Sequence, residues 1–340
     1  MNQLKIAIIG CGWLGLPLAK KLIQENFIVK GSTTSKEKIS VLKTEKIEPF
    51  LIDLNKNLDK EILNSFLKNV DVLIINIPPK IRKEKTINYY SKIQNITSNN
   101  FIKKINNIIF ISSISVYGSK QGKVSSQTIP SPDTINGKEI LKTEKLFDNK
   151  NNTIIRFGGL INETRNPLNY LIKKPEILNP DAPINYIHLE DCIGIIFSII
   201  KNNKWGEIYL GVAPFHPTKK NYYDNLCEKK RIKKLTFSSK KTVVNKEIND
   251  NKIEENPYIG TLQSTDLKTQ NVSSVDESIS DLQLLSEDIV YKSVPTTQVL
   301  AGDIQIPFGD TSYLVGQELD NLTGISAEVP DKTINIDGTT

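Results

Sequence analysis

The chain has few of the residues that form metal sites or disulfides. Its 340 residues include 3 cysteines and 2 histidines. Cys11, Cys192 and Cys227 are odd in number and far apart, which suits a reducing compartment and provides no metal-ligand spacing. His188 and His216 are too sparse for a metal cluster. No apolar run approaches the length of a membrane span. These shortages predict a cytoplasmic protein that holds no metal and has no membrane partner.

Arginine is scarce as well, although the chain is basic. Lysine and arginine together number 44, but the arginines are only Arg82, Arg156, Arg165 and Arg231. Bidentate recognition of phosphates and bases favours arginine, and no compact basic run is interleaved with aromatic residues. The sequence therefore predicts no nucleic-acid partner. Solvated lysine faces would instead exert a general attraction on anionic ligands.

The last quarter of the chain lacks Arg, His, Cys, Trp and Met altogether, and its charge is reversed. Residues 1–253 carry 41 Lys and Arg against 23 Asp and Glu, whereas residues 254–340 carry 3 against 15. We expect 253–340 to be an acidic C-terminal segment, either a small β-rich module or a largely disordered tail. Its short apolar pieces are Ile289–Tyr291 and Val299–Phe308. A join of unrelated reading frames is a third interpretation of the abrupt change in composition.

The N-terminal stretch carries the strongest motif. Leu4–Ile9 is apolar at five of six positions, as a parallel strand covered on both faces requires. Apolar residues then recur at helical spacing from Trp13 to Ile23. Between strand and helix, the spacing G-x-G-x-x-G predicts that a dinucleotide pyrophosphate is bound at the helix N-terminus. The residues predicted to bind the cofactor here are Gly10, Gly12, Trp13, Leu14 and Gly15.

Two alternatives to this interpretation stay open. The segment could be an ordinary strand, turn and helix that is glycine-rich and binds no ligand. Ile8–Cys11 also imitates a lipoprotein cleavage box that follows Lys5. Glycines at nucleotide-loop spacing interrupt the apolar run, however, and this disfavours a signal peptide.

Predicted strands and helices alternate along the rest of the basic part. Such alternation is typical of an α/β fold with a doubly wound parallel sheet of Rossmann type. The strands after the first are expected at Phe27–Gly31, Pro49–Asp53, Val70–Ile77, Ile108–Ser113, Thr153–Phe157 and Gly206–Val212. Helices are expected, among others, at about 85–104, 136–144, 188–200 and 219–231.

The end of the second strand bears on the choice of cofactor. An Asp or Glu about 20 residues past the glycine loop would hold the ribose 2′-hydroxyl of NAD. This chain has hydroxyls and a lysine there, and no carboxylate before Glu37. These side chains suit the 2′-phosphate of NADP, which we expect as the cofactor, with NAD as the alternative; Ser35 or Thr34 could also cap the next helix. The predicted binding residues are Ser32, Thr33, Thr34, Ser35 and Lys36.

Other strand ends extend the predicted cofactor site, because ligands of such sheets bind outside the carboxyl ends of the strands. Asp53 could border the adenine or merely begin a turn. Pro78-Pro79 stops the fourth strand abruptly, and hydroxyls end the fifth. The cofactor-binding residues predicted at these ends are Asp53, Leu54, Ile77, Pro78 and Ser112.

Several motifs in one order resemble the short-chain dehydrogenase/reductase superfamily, in its extended epimerase/dehydratase branch. Beside the glycine loop and Asp53-Leu54, they are Ser112–Gly118 (SSISVYG), Arg156–Leu160, Tyr186–Asp191 and Gly206–Tyr209. The resemblance covers about residues 3–252. It implies an NAD(P)-dependent oxidoreductase or epimerase/dehydratase-like enzyme that acts on a small, sugar-like substrate. A small substrate lobe would be formed by residues of about 160–187 and 206–252.

The usual catalytic pair of that family is missing from this chain. Family members place a Ser or Thr at the position of Ser113 and a Tyr-x-x-x-Lys pair on the next helix, where i,i+4 spacing aligns the two groups. Here Asn136 and Ile140 take those two positions. Lys138 and Lys142 are shifted by two residues and should face elsewhere.

Ser113 and Tyr117 remain as catalytic candidates. Ser113 could hydrogen-bond a substrate carbonyl, and Tyr117 could donate a proton. Alternatively, these hydroxyls bind only backbone and cofactor, and the chain is a non-catalytic dinucleotide-binding sensor or regulatory module. His188, at the start of a predicted helix, is expected to be a structural hydrogen-bonding group, as is Asp191.

Overall fold

The computed structural model describes residues 3–55, 59–79, 89–149, 151–238 and 244–248, together with the backbone of 298–300 and 303–305. The chain divides into two units, Met1–Ile253 and Glu254–Thr340. The division falls beside the change in composition.

Strands and helices alternate through the first unit. Its strands are β1 (Lys5–Ile9), β2 (Ile28–Thr33), β3 (Glu48–Leu51), β4 (Val72–Ile75), β5 (Asn107–Ser113), β6 (Lys123–Val124), β7 (Asn152–Phe157), β8 (Gly159–Ile161), β9 (Tyr186–His188), β10 (Ile208–Gly211) and β11 (Glu247–Ile248). Its helices are α1 (Gly15–Gln24), α2 (Glu37–Thr44), α3 (Lys60–Leu67), α4 (Tyr89–Thr97), α5 (Ile135–Glu144), α6 (Leu168–Leu171), α7 (Leu189–Lys201) and α8 (Lys219–Lys229).

Seven of these strands form one parallel sheet in the order β10-β7-β5-β4-β1-β2-β3. The chain winds outward from β1 first through β2 and β3, and then through β4, β5, β7 and β10. This is the doubly wound order of a Rossmann fold, so the predicted fold class is confirmed. The order reverses between β1 and β4, and ligands of such sheets bind in the crevice outside the carboxyl ends there.

The central strands are buried on both faces. In β1 the side chains of Ile6, Ala7 and Ile8 are fully buried, and in β4 so are those of Leu73 and Ile74. Continuous apolar runs suit such strands because neither face meets water. The same runs made these strands predictable from the sequence.

Several predicted boundaries change. α1 begins at Gly15 instead of near Trp13, because the chain is still turning at Trp13 and Leu14. Gly159 begins β8, a strand that was not predicted, and pairs in parallel with Tyr186 of β9. Both features place backbone close to the crevice at the strand ends.

Two predicted segments extend beyond the described residues. The helix expected over 85–104 is α4 followed by a 3₁₀ turn at Ile102–Lys104, and its first residues lie outside the described part. In the second unit, two short strands, β12 (Gln298–Leu300) and β13 (Asp303–Gln305), pair antiparallel. The predicted apolar piece Ile289–Tyr291 lies outside the described residues.

Two smaller parallel sheets, β8–β9 and β11–β6, lie outside the central one. β11 is attached to the chain that follows β5 through Lys246. The Lys246 ammonium donates to the carbonyl oxygens of Ile114 and Tyr117, at 3.0 and 2.9 Å. The last described strand of the first unit is therefore fixed near the end of β5.

Candidate functional site

A cavity of about 560 Å³ lies at the carboxyl ends of the central strands. It extends from the ends of β2 and β3 to those of β5 and β7, with the glycine turn between them. Of the described residues predicted to bind a cofactor, Gly15, Ser35 and Lys36 do not line it. Those that do are Gly10, Gly12, Trp13, Leu14, Ser32, Thr33, Thr34, Asp53, Leu54, Ile77, Pro78 and Ser112.

The three glycines of the turn have different surroundings. Gly10 has a φ of +102°, and a Cβ on it would lie 2.3 Å from the carbonyl oxygen of Asn76. A Cβ on Gly15 would lie 2.2 Å from the carbonyl oxygen of Gly10. A Cβ on Gly12 would meet no atom within 4 Å. The fold therefore requires Gly10 and Gly15, whereas Gly12 leaves room for a ligand beside the backbone.

Two neighbouring strands hold the backbone of the turn. The Gly10 N–H donates to the Ser32 hydroxyl at 3.0 Å, and the Cys11 N–H donates to the Ser32 carbonyl oxygen at 2.8 Å. The side-chain amide of Asn76, just after β4, donates to the Gly10 carbonyl oxygen at 3.1 Å. Sequence reasoning missed Asn76, because no local pattern shows that it contacts a turn 66 positions earlier.

Backbone donors at the start of α1 are available to a ligand. Within the described part of the chain, the N–H groups of Trp13, Leu14 and Gly15 have no acceptor. The Leu16 N–H is the next along the helix, and it donates to the Gly12 carbonyl oxygen at 3.1 Å. Free N–H groups at a helix N-terminus bind phosphate groups well.

Hydroxyls at the end of β2 are used by the fold itself. Ser32, which is 2% exposed, accepts from Gly10, and Thr33, which is 7% exposed, accepts from the Ser35 N–H at 3.2 Å. The Ser35 hydroxyl donates to Glu37. The Ser32 and Thr33 oxygens accept in these bonds and keep their hydroxyl protons for a ligand, whereas the Ser35 proton is directed to Glu37. The assignment of these residues to a 2′-phosphate stays a prediction.

Thr34 and Lys38 are the exposed residues of this segment that line the cavity. The predicted Lys36 does not line it, and Lys38, which was not predicted, does. α2 also begins without a side-chain cap from Thr34 or Ser35. Lys38 lies in the first turn of α2, whereas Thr34 precedes the helix.

Asp53 begins a turn and also lines the cavity. Its Oδ1 accepts from the backbone N–H and the side-chain amide of Asn55, each at 3.0 Å. Asn55 Oδ1 accepts in turn from the ammonium of Lys92 at 2.5 Å. Lys92 is 9% exposed and lines the cavity from α4. It was not predicted, because only the packing of α4 brings it to the end of β3.

Ser113 is the catalytic candidate that the structure brings to the cavity. Its Oγ accepts the Ser115 N–H at 3.1 Å, which leaves the hydroxyl proton for a ligand. Ile140 of α5 lines the cavity at the position where the resembled family has lysine. Lys142 faces elsewhere, as expected, and its ammonium lies 4.5 Å from the centroid of the Tyr90 ring.

Tyr117 does not line the cavity and is 1% exposed, which corrects its predicted role as a proton donor to substrate. Its hydroxyl donates to the Ser125 carbonyl oxygen at 2.9 Å and accepts from Arg156 Nη1 at 2.6 Å. The Tyr117 hydroxyl therefore helps to orient Arg156 and does not face the cavity.

Arg156 and Glu144 form a buried ion pair beside the cavity. Arg156 Nε lies 3.0 Å from Glu144 Oε1, and Nη2 lies 2.7 Å from Oε2. The two residues are 3% and 4% exposed. The Ser112 hydroxyl donates to Glu144 Oε1 at 2.5 Å. This network ties β5, α5 and β7 together through charge-assisted hydrogen bonds.

Cys11 packs behind the glycine turn and against β2. Burial raises the pKa of its thiol to about 12, so the group is protonated and unreactive at neutral pH. A Cβ on Gly31 would lie 2.7 Å from Cys11 Sγ and 2.7 Å from Ile47 Cγ2. Cys11 is therefore a packing residue.

His188 has the structural role expected of it. It caps α7, where its Nδ1 accepts the Glu190 N–H at 3.4 Å, and its Nε2 lies 3.2 Å from Glu163 Oε1. Among the residues that the structure describes, no three His, Cys, Asp or Glu side chains are grouped to hold a metal ion. No helix in that part of the chain is long and apolar enough to cross a membrane.

The sheet order and the glycine turn beside the switch point define a protein of the Rossmann-type fold. The chain is 32% identical over 230 residues to Protein YeeZ of Escherichia coli strain K12, a match that spans 66% of this chain and 82% of YeeZ. The chain therefore belongs to the YeeZ family. No family model matches it.

Solved structures share the fold. A functionally unknown conserved protein from Silicibacter pomeroyi superposes with a TM-score of 0.62 at 16% identity, over 79% of this chain and 98% of that one. The UDP-glucose 4-epimerase of Thermotoga maritima, solved with UDP-glucose, gives 0.61 at 14% identity, over 74% and 92%. The UDP-glucuronic acid 4-epimerase of Bacillus cereus, solved with NAD, gives 0.57 at 20%, over 72% and 90%. At the level of the fold, the resemblance to epimerase/dehydratase proteins is confirmed.

The buried pair predicts a large stability effect. Glu144→Leu leaves Arg156 buried without its carboxylate and should lower the free energy of unfolding by about 3–5 kcal/mol. Urea denaturation measures this. The matched control is Glu25→Leu, which breaks the part-exposed Lys21–Glu25 pair and should cost less than about 1 kcal/mol. Equal losses in both variants would contradict a special role for the buried pair.

Proposed function

We propose that the chain is a nicotinamide-dinucleotide-dependent oxidoreductase or epimerase/dehydratase-like enzyme that acts on a small, sugar-like substrate. One observation carries the proposal. The turn that opens on the cavity at Gly12 is followed by three unpaired backbone donors, at Trp13, Leu14 and Gly15. This combination fits the pyrophosphate of a dinucleotide, because the donors match its charge and Gly12 leaves space for it.

We place the two halves of the cofactor at the two ends of the cavity by the general rule for doubly wound sheets. Adenosine belongs over β2 and β3, where Thr34, Asp53 and Leu54 line the wall. Nicotinamide belongs over β5 and β7, where Ser113 and Gly158 line it. When bound there, the cofactor supplies hydride transfer.

Ser113 is the residue that we propose to act on substrate. Its Oγ is held by the Ser115 N–H, so its O–H can donate to a carbonyl or hydroxyl oxygen of the substrate. This bond orients the reacting carbon and stabilises charge that develops on the oxygen. Ile140 keeps the neighbouring wall apolar, which strengthens that hydrogen bond.

A second candidate function is that of a non-catalytic dinucleotide sensor. It is favoured by the shortage of proton donors at the nicotinamide end. Among the described lining residues of β5, α5, β7 and the chain after β7, those with side-chain protons to donate are Ser112, Ser113 and Arg165. The Ser112 proton is already directed to Glu144.

We further propose NADP as the preferred cofactor, on the basis of Thr34 and Lys38. Both line the adenosine end, whereas Glu37, the carboxylate between them in sequence, does not line the cavity. A lysine ammonium can pair with that phosphate.

Substitution of Gly12 and of Gly15 tests whether the glycine turn binds the cofactor. Gly12→Val should abolish NADPH binding in calorimetry while the melting temperature stays unchanged, because a Cβ at Gly12 fills only the cavity. Gly15→Val is the matched variant. It should lose at least about 1 kcal/mol of stability, because its Cβ would strike the Gly10 carbonyl. Unchanged NADPH affinity in Gly12→Val would refute the proposed cofactor site.

Lysine substitution tests the cofactor preference. Lys38→Ala should weaken NADPH binding about tenfold, the size of one charge-assisted hydrogen bond, and leave NADH binding unchanged. Lys36→Ala is the control, because Lys36 does not line the cavity. Tighter binding of NADH than of NADPH by the unaltered chain would contradict the preference for NADP.

A turnover assay distinguishes the proposed enzyme from a non-catalytic dinucleotide sensor. We expect reduced-nicotinamide absorbance to fall when the chain meets NADPH and a panel of ketoses and nucleotide keto sugars, because their carbonyl carbon accepts the hydride and their oxygen takes up a proton. Ser113→Ala should slow this reaction about 100-fold without a change in cofactor affinity, whereas Ser115→Ala keeps its backbone donor and should stay active. Tight cofactor binding with no turnover across the panel would favour the sensor.

A further inference from the structure

Arg165 extends across the cavity to the glycine turn. It lies in the loop between β8 and α6, and its guanidinium carbon is 4.8 Å from the centroid of the Trp13 ring. Both residues line the cavity. A guanidinium above an indole face is held by cation–π attraction, and this contact leaves its N–H donors free for other partners.

The loop that carries Arg165 is held in place by its own side chains. Asn162 Oδ1 accepts the Arg165 N–H at 2.8 Å and the Thr164 hydroxyl at 3.2 Å. Asn166 Oδ1 accepts the N–H of Leu168 at 2.9 Å, and Leu168 is 1% exposed. The backbone on both sides of Arg165 is therefore anchored, which fixes where its side chain begins.

The Arg165 guanidinium has no ion-pair partner within the described part of the chain, although its charge and that of the buried Asp191 both act on the Cys192 thiol. The acidic residue of its own loop, Glu163, pairs with His188 instead. The other charged residues among the described lining are Lys38, Asp53 and Lys92, and they belong to α2, the end of β3 and α4. The cavity end formed by β5, β7 and β8 has one charged side chain among its described lining residues, and that side chain is Arg165.

We propose that Arg165, stacked on Trp13, binds an anionic group, phosphoryl or carboxylate, of the molecule held at the β5–β8 end of the cavity. Arginine suits this task because its planar fork of donors matches both kinds of anion. The anion has two sources, the pyrophosphate of the cofactor or an acidic group of the substrate. In the second case the substrate class is an anionic one, such as a sugar phosphate or a sugar acid, and that assignment rests on the proposed function.

The first experiment needs no cofactor. Trp205→Phe leaves Trp13 as the chain's remaining tryptophan, since the sequence has 2. Its fluorescence should change as inorganic pyrophosphate is added. In the same background Arg165→Gln should weaken pyrophosphate binding by about tenfold or more, as expected for loss of a charged hydrogen-bonding partner. Lys174→Gln is the matched control, because Lys174 makes a cation–π contact with Tyr170 but does not line the cavity.

The second experiment separates the two sources by calorimetry. If Arg165→Gln weakens ADP-ribose about tenfold and spares AMP, the anion is the cofactor pyrophosphate. If it spares both but removes binding of UDP-glucuronic acid to the NADPH-loaded chain, the anion belongs to the substrate. Unchanged affinity for pyrophosphate, ADP-ribose and UDP-glucuronic acid alike would overturn the proposal. Failure of the unaltered chain to bind NADPH would instead overturn the proposed function, and the pyrophosphate titration would still test Arg165.

Discussion

Arg156 and Glu144 share two hydrogen bonds where solvent does not reach, and this pairing constrains three elements at once. Arg156 belongs to β7, Glu144 ends α5, and Ser112 at the end of β5 donates to the same carboxylate. A charge is tolerated in such a place only while its partner and their geometry are kept. The position of Ser113, next in the chain and paired with Phe157 of β7, is therefore set inside the protein and not by the loops around the cavity.

Helix α5, which supplies Glu144, lacks the catalytic lysine of the resembled family, although the glycine turn of the proposed cofactor site is present. Its inner face presents Ile140 to the cavity where the resembled family has the lysine of its catalytic pair. Asn76 and Ser32 meanwhile hold the glycine turn on which we propose that a pyrophosphate binds. A Rossmann-type cavity can thus retain its ligand features after its proton-transfer residues have changed, so the activity has to be argued from the remaining groups.

Local properties of the chain were enough to predict much of the fold. The apolar run of β4 and the tight turn at Gly10 each depend on a few consecutive residues. Contacts across the sheet could not be predicted in this way. Asn76 meets the glycine turn, and Tyr117 turns inward to Arg156, only because distant strands are neighbours. Lys38 was missed for a simpler reason: the predicted segment ended at Lys36, and Lys38 lies two residues further, in α2.

Cys11 occupies the variable position between the first two glycines of the motif, but its size is not free. Beside its sulfur, Gly31 of β2 has room for a hydrogen atom and not for a methyl group. Among relatives the two positions should therefore vary together, with a larger side chain at one matched by a smaller one at the other. The spacing of the three glycines predicts a ligand site, whereas the Cys11–Gly31 contact reflects how the turn packs against β2. Covariation between positions 11 and 31 would distinguish chains that share this packing of the turn against β2 from chains that share only the glycine motif.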